Sequence, residues 1–135
     1  MLDLNGKRAL VCGGTSGIGK ATVSSLKENG ADVVILSRRA SGENTISCDL
    51  EDLESLRKLV SKEIETNGPF QILINNSGGP PSGTLIEAQP HDFEKAFLRH
   101  VLASQTLVQL LLEGMKSSKY GRIVRLGLWS GLVHN

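Results

Sequence analysis

Residues 8–30 read RALVCGGTSGIGKATVSSLKENG, and this stretch decides the fold. The apolar run that ends at Cys12 is closed by Gly13 and Gly14, the pattern of a buried strand running into a tight turn. Ile18, Ala21, Val23 and Leu26 then recur at helical intervals until Gly30 closes the segment. A strand, a glycine turn and a helix in that order predict the opening unit of an α/β domain. Gly13 permits a sharp exit from the strand, Gly17 lets backbone approach a pyrophosphate, and Gly19 lets the helix pack closely. The first-turn N–H groups and the helix dipole favour an anion at this end, and Thr15 and Ser16 add hydroxyl donors beside Ile18. Such turns also arise for packing alone, so the flanking elements carry the argument.

The alternation continues beyond this unit. ADVVILSRR (31–39) is a second strand whose continuous Val33, Val34, Ile35 and Leu36 predict helices on both sheet faces. A short strand at Thr45 to Cys48 leads into a helix with Asp49 as its candidate cap and Asp52 in its first turn. Leu53, Leu56, Leu59, Val60 and Ile64 form that helix's apolar stripe, and Gly68-Pro69 ends it. FQILINN (70–76) is a further buried strand. Pro90 opens a long helix that continues with interruptions to about Met115, and Gly121 to Leu126 reads as a last buried strand. The order predicts a parallel sheet with right-handed crossovers in a single domain spanning residues 1–135. The Pro/Gly-dense stretch from Gly78 to Gly83 follows a strand end and reads either as a ligand loop or as a plain surface loop.

Composition narrows the function classes. Fifteen basic and fourteen acidic residues leave a net charge of +1, so no global field draws the chain to nucleic acid or an anionic membrane. No apolar run reaches the roughly 18 residues of a membrane span, and the N-terminus has no signal-peptide pattern. Cys12 and Cys48 form no CxxC or Cys/His cluster, which fits a reducing compartment and a cytoplasmic location. The three histidines have no metal-ligand spacing, so no metal site is expected.

Together, GGTSGIG (13–19), CDL (48–50) and NNSG (75–78) resemble the short-chain dehydrogenase/reductase family along the whole chain. Cys12 stands where that family usually has threonine. The resemblance implies a Rossmann-like, doubly wound parallel sheet in the order 3-2-1-4-5, truncated after the fifth strand. It also implies hydride transfer between nicotinamide and a small carbonyl or alcohol substrate. The implied cofactor contacts are Gly13, Thr15, Ser16, Gly17, Ile18 and Gly19, then Cys48, Asp49 and Leu50, then Asn76, Ser77, Gly78 and Gly79. Asp49 reads either as an adenine contact or as a plain helix cap, and the segment from Asn76 to Gly79 as a ribose wall or a simple turn. At the end of the second strand, Ser37, Arg38 and Arg39 stand where NAD enzymes of this topology carry an acid. An acid would repel a 2'-phosphate and a guanidinium would bind it, so NADP(H) is favoured over NAD(H). The alternative for the two arginines is a solvated strand exit.

The same resemblance implies a catalytic serine, a Tyr-x-x-x-Lys pair and a supporting asparagine. The serine's position falls at Leu128, with Ser130 two residues on. The asparagine's falls at His100, which also reads as a partly buried helix histidine. The only tyrosine, Tyr120, precedes the last strand with no lysine at the required spacing. No catalytic residue is therefore assigned. The expectation is a cofactor-binding portion, inactive alone, that forms a homo-oligomer or is completed by a second chain. A non-enzymatic nucleotide-binding or interaction subunit is the other class. The apolar excess on the long helix, from Leu102 to Met115, and an Arg125 set in a strand point toward association or an exposed sheet edge.

Overall fold

The computed structural model describes residues 2–15, 17–76 and 86–126. Five strands are paired in parallel in the order 3-2-1-4-5: β1 (Arg8–Cys12), β2 (Asp32–Ser37), β3 (Thr45–Ser47), β4 (Ile72–Asn75) and β5 (Arg122–Arg125). Helix α1 (Gly17–Glu28) covers one face, while α2 (Leu53–Asn67) and α4 (Ala103–Ser118) cover the other. This is the Rossmann-type, doubly wound arrangement that the alternation predicts.

Alternation along β1 divides the core. Ala9 and Val11 join Val23 of α1 and Val33 of β2, whereas Leu10 and Cys12 join Leu56 and Val60 of α2 and Leu107 and Leu111 of α4. All four residues from Ala9 to Cys12 are fully buried, as a strand covered on both faces must be.

Several elements differ from their sequence reading. The cap of α2 is Asp52, not Asp49: its carboxylate accepts from the Ser55 N–H at 3.1 Å and the Ser55 hydroxyl at 2.7 Å. These bonds hold the Asp52 carboxyl below its usual range, the hydroxyl contributing most. Asp49 lies one turn earlier, where its Oδ1 accepts from the Glu51 N–H at 3.0 Å and forms a turn of its own. Ile18 belongs to no buried stripe; it is 67% exposed, in the first turn of α1. The long helix does open at Pro90 and is interrupted, as its sequence reads: it consists of α3 (Pro90–Phe97), a π-helical turn (Leu98–Leu102) and α4.

The last strand is not buried. Every residue of β5 is exposed, Ile123 by 46% and Val124 by 45%, and among the described residues its one strand partner is β4. The apolar excess on α4 is largely absorbed by α2 and the sheet: Leu107, Leu111 and Met115 are buried, Val108 and Leu110 pack beside them, and Leu112 stays exposed. No helix among the described residues is long and apolar enough to cross a membrane.

Candidate functional site

The parallel register brings the C-terminal ends of three strands together, with Cys12 of β1 beside Leu36 of β2 and Asn75 of β4. The chain order reverses between β1 and β4, and there the connections diverge and leave a crevice above the sheet. Gly13 turns out of β1 at φ +72°, with its N–H donating to the Leu36 carbonyl at 3.0 Å. A side chain on Gly13 would overlap the Asn76 carbonyl oxygen, and one on Gly19 would overlap the Gly13 carbonyl. These two glycines let the turn, the helix and the end of β4 close on one another.

Gly17 is different. It lies at φ +55°, and no described atom stands within 4 Å of where its Cβ would be. The first turn of α1 carries no acidic residue to occupy its amides. Thr15 and Ile18 are exposed on either side of Gly17 in the chain. Gly14, which the sequence motif passes over, is closed from the other side: a Cβ there would sit 2.9 Å from Val23 and 3.1 Å from Ile35. Among the described residues, the turn is therefore tight toward the protein and open toward the crevice, a fit for a phosphate-bearing ligand.

Beside this turn lies a cavity of about 170 Å³. Its apolar floor is Gly13, Leu36, Cys48 and Leu50, and Ser37, Arg38 and Asp49 supply polar walls. The Ser37 carbonyl accepts from the Cys48 N–H at 3.2 Å, and the Ser47 hydroxyl donates to the Arg38 carbonyl at 3.0 Å, so the exits of β2 and β3 are laced together. The Arg38 guanidinium is exposed, and its Nη1 lies 3.9 Å from Asp49 Oδ2. At that distance and exposure the pair contributes little, so a stronger anion could draw Arg38 away. Arg39 is exposed, forms no ion pair among the described residues and does not line the cavity.

The remaining wall is Arg99, from the π-helical turn, which no sequence motif singles out. Its Nε stands 3.0 Å from Glu51 Oε1. Nothing in the local sequence pairs these two residues, since folding brings the turn after α3 against the start of α2.

Both thiols are shifted toward their protonated form. Burial, with a smaller effect of Cys48, pushes the Cys12 thiol up to about 12. Burial also raises Cys48, followed by the nearby Asp52 and Asp49 carboxylates. Among the described residues no group of three or more His, Cys, Asp or Glu side chains could hold a metal ion. Asn75, at the end of β4, donates from Nδ2 to the Ser104 hydroxyl at 2.7 Å and fastens the strand to α4. His100 is buried, and its backbone carbonyl accepts from Arg125 Nη2 at 2.6 Å, so Arg125 has both a partner and an exposed sheet edge. Of the sequence-derived positions, Ser16, Ser77, Gly78, Gly79, Leu128 and Ser130, and the 78–83 loop, lie outside the described residues.

Comparison with known proteins agrees with this arrangement. The family profile described as "short chain dehydrogenase" matches residues 7–135. A fatty acyl-CoA reductase of Mycobacterium tuberculosis is 31% identical over 97% of this chain, which covers 50% of that protein. The chain thus spans about half the length of such curated relatives. A metagenomic blue fluorescent protein solved with NADPH is 32% identical, with a TM-score of 0.80 over 93% of this chain and 57% of its own. L-Sorbose reductase from Gluconobacter frateurii, solved with NADPH and L-sorbose, superposes with a TM-score of 0.82 over 92% of this chain and 53% of that chain. At 24% identity, that last likeness is one of fold.

Proposed function

The chain belongs to the short-chain dehydrogenase family, and from that membership we propose that it is the nucleotide-binding portion of an oxidoreductase that takes NADP(H) in preference to NAD(H). The observation that carries the reading is the open glycine turn at the α1 N-terminus beside a cavity walled by Arg38 and no acid at the β2 exit. When bound, the nicotinamide supplies or accepts the hydride of carbonyl reduction or alcohol oxidation. The chain's own residues bind and orient. The amides of Gly17 to Gly19 meet the pyrophosphate, with Thr15 and Ser16 adding hydroxyls and Ile18 covering its exposed side. Leu36, Cys48 and Leu50 form the apolar slot for the adenosine, and Asp49 accepts from its amino edge. Ser37 and Arg38 face the ribose, where Arg38 exchanges its weak pair with Asp49 for the 2'-phosphate. Arg39 adds positive potential from outside, and Asn76, Ser77, Gly78 and Gly79 line the ribose side. The 32% identical blue fluorescent protein, solved with NADPH, supports the same choice.

Residues 1–135 by themselves are proposed to bind without turnover. Leu128 has no hydroxyl to offer a substrate oxygen. Tyr120 packs beside Lys7 and Arg122 at the N-terminal edge of the sheet, opposite the crevice. A small carbonyl or alcohol substrate would be handled only in an assembly that adds the missing groups, formed with further polypeptide or with another copy of the chain. The test is isothermal titration of NADPH and NADH into wild type and Arg38→Ala. Loss of the charge-assisted contacts should weaken NADPH by about 1.5–3 kcal/mol and leave NADH nearly unchanged. Equal affinity of the wild type for both cofactors would reject the NADP preference. Ketone-dependent NADPH oxidation by the same sample would reject binding without turnover.

A further inference from the structure

The nucleotide cavity has one wall that no family motif or relative assigns to this chain. Arg99 stands across from the β2 exit, on the π-helical turn after α3, and it is neither a solvated surface arginine nor a buried one, with a side chain 28% exposed. Its Nε lies 3.0 Å from Glu51 Oε1, a charge contact without hydrogen-bond alignment, and that carboxylate is itself only 24% exposed. No protein acceptor is found for its two terminal amino groups among the described residues. The guanidinium is thus drawn to Glu51 by charge alone, and it lines the same cavity as Gly13, Leu36, Cys48 and Leu50. An apolar lining that also carries a guanidinium suits a heteroaromatic ring. Both its π-face and its ring nitrogens interact favourably with a guanidinium.

We propose that Arg99 is a binding residue of the cavity, paired by charge with Glu51, and that it covers the adenine base rather than contacting the 2'-phosphate. This rests on the dinucleotide reading above. The two arginines then divide the work: Arg38 distinguishes the phosphorylated from the unphosphorylated ribose, and Arg99 holds the base common to both cofactors. Glu51 is a positioning residue, because it reaches the ligand only through Arg99. The π-helical turn acquires a function as well, since it is the element that carries Arg99 to the cavity wall.

The experiment is titration of NADPH, NADH, 2',5'-ADP and reduced nicotinamide mononucleotide into wild type, Arg99→Met, Arg99→Lys and Glu51→Ala, with a urea unfolding curve for each. Arg99→Met keeps the stem and removes the plane. It should weaken NADPH, NADH and 2',5'-ADP by a common factor of about five to ten. It should leave the NADPH-to-NADH ratio and the mononucleotide unchanged. Arg99→Lys should recover only part of that loss, because an ammonium has no plane to lay against a base. Glu51→Ala should produce a smaller loss with the same pattern across ligands. A change in the NADPH-to-NADH ratio on removing Arg99 would make it a phosphate ligand and overturn the assignment. Unchanged binding by a folded Arg99→Met protein would reduce the Arg99–Glu51 pair to a structural tie. Wild type that binds none of the adenine-bearing ligands would take down the dinucleotide reading itself, and this inference with it.

Discussion

Arg8 and Arg38 are the same residue type at opposite ends of the strand layer, with opposite duties. Arg8 is mostly buried at the N-terminal edge of the sheet. Its guanidinium pairs with Asp32 at 3.0 Å and Glu63 at 2.8 Å, donates to the Gly68 carbonyl, and lies 4.5 Å from the centre of the Phe70 ring. Arg8→Ala would strip the part-buried Glu63 of its cation, leaving it the Asn67 amide alone, and would take the side-chain donor from the Gly68 carbonyl. It should lower the unfolding free energy by about 2–4 kcal/mol in urea denaturation. Nucleotide affinity of the folded protein should not change, because the crevice is at the other end. Cys12 sets a pH limit. Its thiol is held near 12 in the folded chain against 9.0 without burial, so the unfolded chain gives up that proton first as the pH rises. This contribution to stability is intact below pH 9 and is lost on the way to about 12. Unfolding curves at about pH 8 and about pH 10.5 should show a steeper alkaline loss in wild type than in Cys12→Ala. At this scale Gly13, Gly17, Gly19 and Arg38 were legible in the sequence, because glycine spacing and strand-exit charge are local properties. Arg8 and Arg99 were not, since their partners come from distant segments.

Among the elements, helix ends depart most from expectation. Two acids near the start of α2 compete for the cap, and only the backbone decides between them: Asp52 is the one whose carboxylate reaches the Ser55 N–H. The C-terminal end of α4 is closed by Lys119 in the left-handed region, at φ +53°. A side chain is disfavoured there, and glycine is the common solution. Lys119→Gly should therefore raise the stability of the chain by about 0.5 kcal/mol, read as a shift of the urea midpoint with unchanged slope. The sequence reading allowed for interruptions in the long helix but not their place, since no proline or glycine marks Leu98 to Leu102. A π-helical turn adds a residue without changing which side chains are apolar. The close packing of α1 on β1 was legible, and it gives a sharp expectation. Gly19→Ala would force its Cβ into the Gly13 carbonyl and should disrupt both folding and nucleotide binding. Gly17→Ala meets no atom of the described residues, so its cost should be confined to backbone strain and to the ligand.

At the scale of the whole molecule, β5 is the outermost strand of the described sheet: among the described residues its one strand partner is β4, and Ile123 and Val124 are exposed between Arg122 and Arg125. Antiparallel pairing of two such edges about Ile123 and Val124 would set Arg122 of one copy opposite Arg125 of the other, and that repulsion weakens self-association. Association is therefore expected to be weak and to strengthen with salt. Native mass measurement at low and high ionic strength should show it, and Ile123→Lys should abolish it while leaving NADPH binding intact. What the sequence by itself determined is the order of the strands, the glycine turn between β1 and α1, and the basic exit of β2. Each is written in neighbouring residues, as an apolar period, a required positive φ or a local charge. Only the tertiary structure decided that β5 is exposed, that Asp49 faces a cavity and not a helix amide, and that Arg99 and Glu51 close that cavity. Those outcomes depend on which segments the parallel register lays side by side, and no short window of sequence contains that information.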